Sequence, residues 1–220
     1  MEHINRFLEH TVLKPDLNRE NLEKAVRECM EYNFAGICIP PCWVNKTKHE
    51  LGDLDIVVVS PAGFPLGYTS TEGKLAEIKQ ALHDGADEID MVWNLSAFKS
   101  GSPEVNTELS RCCSYVHENN RVIKIIIETC YLSPDEIIQA CLVCSEAGAD
   151  FVKTSTGFGP AGARVEDVRL MRAHLASHIG IKAAGGIRTF ASALNLIDAG
   201  ADRIGTSSGP QIMNEALQNL

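Results

Sequence analysis

Gly148-Ala149-Asp150-Phe151-Val152-Lys153-Thr154-Ser155-Thr156-Gly157 is the stretch from which the fold can be read. A helical pattern precedes it, and a glycine in left-handed geometry is the usual way to end one. The short apolar run that follows, closed by a polar and glycine-rich segment, fits a strand buried on both faces. The opening triplet recurs as Gly85-Ala86-Asp87 and Gly200-Ala201-Asp202, each after a helical pattern and before a strand. Such αβ turns arise in any α/β fold, yet the three copies also fix a register. Asp90, Lys153 and Gly205 each stand three residues past the aspartate and are expected at one level on separate strands.

Outward from this stretch, strand patterns fall at 7–13, 36–40, 55–61, 88–93, 122–128, 150–153, 180–184 and 203–205. Helical patterns fall between them at 20–32, 71–83, 104–119, 134–147, 165–177 and 190–199. Alternating β and α implies a parallel sheet, and eight βα units in a chain of this length predict a (β/α)8 TIM barrel. The barrel is expected to be one domain, residues 1–220, with a short N-terminal extension. A doubly wound open sheet is the alternative.

Composition narrows the partners. The 220 residues carry a net charge of −9, which argues against a general nucleic-acid surface but leaves room for a small phosphorylated ligand. No apolar stretch reaches transmembrane length, and Met1-Glu2-His3-Ile4-Asn5 lacks a signal-peptide pattern, so a cytoplasmic location away from membranes is expected. Among the eight cysteines, Cys141 and Cys144 are three apart but have no second such pair, so reduced, packed thiols are expected rather than a zinc site. Most histidines lie away from strand ends, and no Gly-x-Gly-x-x-Gly opens a first helix. Neither a metal nor a dinucleotide cofactor is expected.

Parity separates the inside of the barrel from the outside, because side chains alternate across a strand. In Ile123-Lys124-Ile125-Ile126-Ile127-Glu128 the odd positions are all isoleucine, which turns Lys124, Ile126 and Glu128 inward. The same reasoning turns Asp90, Lys153 and Lys182 inward. Buried charges must be paired, so this gathering points to a site at the C-terminal ends of the strands. Cys38, Lys124 and Glu128 are expected to line its pocket.

A buried lysine held neutral is a nucleophile suited to Schiff-base formation with a carbonyl. Taken alone, Lys153 at a strand's end with its head in water is an equally open reading. Lys182 on the next strand supplies a like charge, so one amine would be neutral and the other cationic, while Asp90 moves protons. Gly185-Gly186 after the seventh strand, and Gly205-Thr206-Ser207-Ser208-Gly209 after the eighth, stand where these barrels bind phosphate. Arg188 adds a cation there, and Thr156 joins the expected substrate-binding set with Gly185, Gly186, Gly205, Ser207 and Ser208.

Five stretches carry a resemblance. Glu9-His10-Thr11-Val12-Leu13-Lys14-Pro15, Glu88-Ile89-Asp90-Met91-Val92, the segment 149–158, and Ile181-Lys182-Ala183-Ala184-Gly185-Gly186-Ile187-Arg188-Thr189, followed by Arg203-Ile204-Gly205-Thr206-Ser207-Ser208, together resemble the deoxyribose-phosphate aldolases. The resemblance implies a metal-free class I aldolase on a (β/α)8 barrel. Its reaction would be reversible cleavage of 2-deoxy-D-ribose 5-phosphate to D-glyceraldehyde 3-phosphate and acetaldehyde. Lys153 would form the imine, with Asp90 and Lys182 as proton-relay partners. Glu9 stands where the family pattern has aspartate, Trp93 where it has an aliphatic residue, and Phe158 where some members have lysine. The chain ends Leu217-Gln218-Asn219-Leu220, without the terminal tyrosine of some members. Barrels of this kind often pair, so a homodimer or higher homo-oligomer is the expected assembly. Two other readings stay open: a Schiff-base barrel aldolase for another phosphorylated sugar, and a non-catalytic barrel that binds a sugar phosphate.

Overall fold

The Gly-Ala-Asp turns explain themselves in the structure, a computed structural model that describes residues 3–218. Gly85, Gly148 and Gly200 have φ of 103°, 83° and 111°, the left-handed geometry that frees each helix end to turn into a strand. The aspartates then reach sideways. Asp87, Asp150 and Asp202 accept the backbone N–H of Val58, Ile123 and Ile181 at 3.0, 2.8 and 2.8 Å. Their own N–H groups donate to the carbonyls of those same three residues. Each turn therefore ties a strand to the one before it.

The strands are β1 (Leu8–Thr11), β2 (Gly36–Cys38), β3 (Val57–Ala62), β4 (Glu88–Val92), β5 (Val122–Ile126), β6 (Phe151–Lys153), β7 (Gly180–Ala184) and β8 (Arg203–Thr206). All pair in parallel, and β8 closes on β1, so the open-sheet alternative is excluded. The helices are α1 (Arg19–Tyr32), α2 (Val44–Leu51), α3 (Thr71–His83), α4 (Leu95–Lys99), α5 (Glu104–Glu118), α6 (Pro134–Glu146), α7 (Val165–His174), α8 (Phe190–Asp198) and α9 (Gly209–Gln218). A 3₁₀ turn at Ile4–Phe7 forms the short N-terminal extension. Among the described residues no helix is long and apolar enough to cross a membrane. Met1, Glu2, Asn219 and Leu220, on which the leader and terminal-tyrosine readings partly rest, lie outside the described residues.

Three helices escape the sequence pattern. Helix α4 has five residues, α2 begins just beyond Pro40-Pro41-Cys42, and α9 opens on Gly209-Pro210, which reads as a turn. Strand β5 stops at Ile126 instead of running on to 128, and Glu128 takes a left-handed φ of 54°.

The register sets the level of each inward residue. Asp90 pairs with Lys124, Lys124 with Phe151, Lys153 with Lys182, Lys182 with Arg203, and Gly205 with Glu9. The inward level thus advances two residues at every second strand, as the tilt of such a barrel requires. Cys38, Asp90, Lys153 and Gly205 form one interior layer. Glu9, Val59, Lys124 and Lys182 form the layer beneath it, and Gly36, Glu88, Phe151 and Arg203 the layer below that. The alternate residues Ile89, Met91, Ile123, Ile125, Val152 and Ile181 are fully buried in the apolar shell between barrel and helices.

Candidate active site

Three lysines and three carboxylates meet inside the barrel. The Lys153 and Lys182 amines lie 2.7 and 2.6 Å from the same oxygen, Asp90 Oδ2. Lys124 lies 3.1 Å from Asp90 Oδ1 and 3.7 Å from Glu9, and it also contacts Glu88. Lys182 is paired with Glu9 as well. An isolated charge at this depth would cost several kcal/mol, and each of these groups instead has an opposite charge in contact.

Position decides how each group titrates. Burial alone would raise the Asp90 carboxyl, but Lys124 and Lys153 outweigh it and hold Asp90 below the usual range. Burial likewise opposes the Lys124 charge, and Asp90 and Glu88 overcome it, so that amine sits above the ordinary lysine range. Lys182 differs. Burial first, and the Arg203 charge second, hold its amine well below that range, against the pull of its two carboxylates. Of the two amines that share Asp90 Oδ2, the deeper one, Lys182, thus has surroundings that oppose its charge.

A cavity of about 740 Å³ opens above this cluster at the C-terminal ends of the strands. Lys153 lines it, whereas Asp90, Lys124 and Lys182 lie below its floor. Thr156 and Phe158 line one flank, and Gly185, Gly186 and Arg188 another. Gly185 and Gly186 have φ of 89° and 76°, successive left-handed residues of the kind that turn backbone N–H groups toward an anion. Gly205, Ser207 and Ser208 complete the wall where α9 begins. Gly205 also has an interior task. A Cβ there would stand 3.1 Å from Lys182 Cε and 3.0 Å from Ala184 Cβ, so glycine leaves room for the Lys182 chain.

Donor atoms of Glu9, Cys38 and Asp90 lie within 4.8 Å of one another, close enough to share a metal ion. Lys124 and Lys182 already pair with Glu9, all three lysines pair with Asp90, and the buried Cys38 thiol is pushed up to about 12, so this donor set suits ammonium groups better than a metal ion.

Residues 6–215 match the model of the DeoC/LacD family aldolases. The chain belongs to that family. This DeoC/LacD member is 50% identical over 216 residues to the deoxyribose-phosphate aldolase of Thermococcus kodakarensis, covering 97% of this chain and 96% of that one. It is 48% identical over 214 residues to the deoxyribose-phosphate aldolase of Caldanaerobacter subterraneus, covering 96% and 93%. Among solved structures, the aldolase QR15 superposes with a TM-score of 0.94 at 41% identity, covering 100% of this chain and 98% of that one. The tetrameric deoxyribose phosphate aldolase of Aeropyrum pernix superposes with 0.91 at 30% identity, covering 99% and 92%.

Three residues expected to line the pocket of this family member do not. Cys38 shares the layer of Lys153, but its side chain is short and fully buried. Lys124 is one layer deeper and is held there by Glu88 and Asp90. Glu128, turned by its left-handed backbone, grips the loop after β6 instead. Its carboxylate accepts the Thr156 N–H at 3.2 Å and the Thr156 hydroxyl. Glu9, Glu88 and Arg203 are further charged side chains at inward strand positions, the first two buried and Arg203 partly exposed at the start of β8. His10 is a further buried residue on the cavity wall and lies 3.1 Å from Glu28. Inward parity within β4 and β8 carried the signal for Glu88 and Arg203, two residues before Asp90 and Gly205.

Proposed function

We propose that the chain is a class I aldolase that reversibly cleaves 2-deoxy-D-ribose 5-phosphate to D-glyceraldehyde 3-phosphate and acetaldehyde through an imine on Lys153. The observation that carries the reading is the reach of Lys153. Of the three barrel lysines, it is the one whose amine comes up to the cavity while remaining paired with Asp90. The family membership and the names of the relatives support the substrate.

In this reading the neutral Lys153 amine attacks C1 of the open-chain sugar, and loss of water gives the protonated imine. A base removes the proton of the C3 hydroxyl, the C2–C3 bond breaks, and the electron pair moves into the imine as an enamine. Glyceraldehyde 3-phosphate leaves. Protonation at C2 and hydrolysis then release acetaldehyde and the free amine. Asp90 and Lys182 move the protons, since Asp90 touches both amines. The phosphate rests on the Gly185-Gly186 turn, the start of α9 and Arg188, with Thr156 on the opposite flank. The protonated imine is itself the electron sink, so the reaction calls for no metal and chelator should leave the rate unchanged.

The same reading takes residues 1–220 as one catalytic domain, located in the cytoplasm and assembled as a homo-oligomer, for which the tetrameric relative is the precedent. The test is direct. The protein is incubated with deoxyribose 5-phosphate or acetaldehyde, reduced with borohydride, digested and mapped by mass. A reduced adduct is expected on Lys153 and none is expected in Lys153→Ala. An adduct on another residue, or none, overturns the reading.

A further inference from the structure

Helix α9, which begins at the cavity wall beside Ser207 and Ser208, rests on a stack of three rings. His10 stacks on Phe34 with ring centroids 5.6 Å apart, and Tyr32 stacks on the other side of Phe34 at the same distance. The Tyr32 hydroxyl reaches Asn214 of α9 at 3.4 Å. At the other end of the stack Gly209, the first residue of α9, lies directly on the rings. A Cβ on Gly209 would stand 2.8 Å from Phe34 Cζ and 3.1 Å from His10 Nδ1, so the helix could sit no lower. His10 is buried and only one of its nitrogens is engaged. Nε2 lies 3.1 Å from Glu28, whereas Nδ1 has no hydrogen-bond partner among the described residues. A buried polar atom left without a partner calls for a reason.

We propose that His10 is a positioning residue for the phosphate site: as a neutral ring stacked on Phe34, it holds the first turn of α9 where that turn receives the substrate phosphate. The inference rests on the proposed phosphate seat at the start of α9. The Glu28 carboxylate accepts the Nε2–H, which fixes the tautomer and leaves Nδ1 as a bare lone pair against Gly209. A proton on Nδ1 would point at the Gly209 backbone with no acceptor, and relief of that contact moves the first turn off the stack. The shift would reach the cavity at once. Thr206, beside His10 in the register, accepts the Ser208 N–H at 2.9 Å, one residue before Gly209. His10 thus acts on the phosphate through Gly209 and not by contact.

Few groups can alter the charge of this ring. Glu28 and Lys24 face it from α1, with Lys24 3.7 Å from Glu28, and the Cys29 thiol on the same helix is kept protonated by burial. Its register neighbours on β2 and β8, Ile37 and Thr206, do not titrate. Tyr32 lies beyond Phe34. Glu215, the titratable side chain of α9, accepts the Phe190 N–H and the Gln211 amide. Lys14 and Asp16 share the cavity wall. Burial, with Lys24 adding to it, outweighs the pull of Glu28 and holds the imidazole below the usual histidine range. The neutral form is therefore present at neutral pH and is lost as pH falls through that lowered value.

The experiment measures kcat and KM for deoxyribose 5-phosphate and for unphosphorylated 2-deoxyribose, and calorimetric binding of inorganic phosphate. The wild type, His10→Ala, His10→Phe and Glu28→Gln are compared from roughly pH 5 to 8, where histidine changes charge, with circular dichroism to confirm folding. His10→Ala removes the support, so KM for the phosphate ester should rise and phosphate binding weaken about tenfold, while kcat and the KM for 2-deoxyribose stay. His10→Phe keeps the stack without a titrating group. It should recover most of the phosphate affinity at neutral pH and lack the acid rise in KM of the wild type. The substrate phosphate itself changes charge at about pH 6, so that rise is read as the ratio of wild type to His10→Phe at each pH. Glu28→Gln removes the charge that favours protonation and should move the acid rise down by about one pH unit. A folded His10→Ala with unchanged preference for the phosphate ester, or one that loses both sugars equally, overturns the inference. If neither His10 variant folds, Glu28→Gln decides, and an acid rise that stays or moves up counts against it. A wild type that neither prefers the phosphate ester nor binds phosphate has no phosphate seat, and that reading then fails together with this inference. A wild type that binds phosphate but cleaves neither sugar defeats the aldolase reading alone, and phosphate binding by the variants still decides the role of His10.

Discussion

Lys153 and Lys182 donate to one oxygen, Asp90 Oδ2, from 2.7 and 2.6 Å. Two amines on a single acceptor are coupled both electrostatically and by proton exchange. The one above reaches the cavity, and the one below is sealed in the barrel with Glu9. In the proposed mechanism this division would let a single carboxylate serve the amine that bonds to substrate and the amine that stores or returns a proton.

Asp90→Asn should lower turnover by roughly 10² or more, the scale of lost general acid–base help. Three buried lysines would also lose their common counter-charge, and breaking a buried pair costs about 3–5 kcal/mol. Initial rates and a thermal melt on the same preparation check both effects. Near-normal turnover would remove Asp90 from the proposed relay.

Gly205→Ala is the finer probe. The added methyl would press on Lys182 Cε and Ala184 Cβ, at 3.1 and 3.0 Å, with no forbidden backbone angle involved. The fold should persist while kcat falls, because the Lys182 chain must shift and its contact with Asp90 lengthens. Unchanged kcat in a folded Gly205→Ala protein would show that the reaction does not need Lys182 where it stands.

Glu128→Ala should loosen the loop that follows Lys153. The carboxylate holds the Thr156 N–H and hydroxyl, and the Phe158 N–H in turn donates to that hydroxyl at 3.1 Å. Losing hydrogen bonds to a charged group costs about 1.5–3 kcal/mol. KM for the phosphorylated substrate should rise more than kcat falls, since Thr156 and Phe158 flank the cavity. A variant with wild-type KM and stability would argue that this clamp is dispensable.

Thiol alkylation should spare Cys38. Cys42 is exposed, whereas Cys38 is fully buried and its thiol is pushed up to about 12. Iodoacetamide followed by mass mapping should label Cys42 first and leave activity intact, and crotonaldehyde should not inactivate through Cys38. Labelling of Cys38 in the folded protein would mean that the cavity floor opens.

Much of this was legible in the amino-acid order, for a physical reason. The helix-ending glycine and the strand-locking aspartate are the same device three times, so the repeat carried both the fold and the level of Asp90 and Lys153. Parity then gave direction but not depth. Lys124 points inward as expected, yet a layer lower than the cavity. Cys38 is on the right layer with too short a side chain. Glu128 turns away because its backbone leaves the strand. Glu9 escaped because β1 is four residues long and the polar His10 and Glu9 alternate with no apolar contrast to separate their faces. His10 is instead buried against Phe34, with ring centroids 5.6 Å apart. The cavity walls were easier, since Gly185 and Gly186 need backbone angles that few other residues adopt.

The aspartate of each Gly-Ala-Asp turn spans 21 to 29 residues to reach its strand, always within an odd–even pair: β3 with β4, β5 with β6, β7 with β8. The barrel is therefore modular in quarters. New termini opened between β4 and β5, or between β6 and β7, would leave every such tie local. New termini opened between β3 and β4 would turn the Asp87–Val58 tie into a contact across nearly the whole chain, with the larger closure entropy that distance brings. Circular permutants of this protein should tolerate the first kind of cut better than the second.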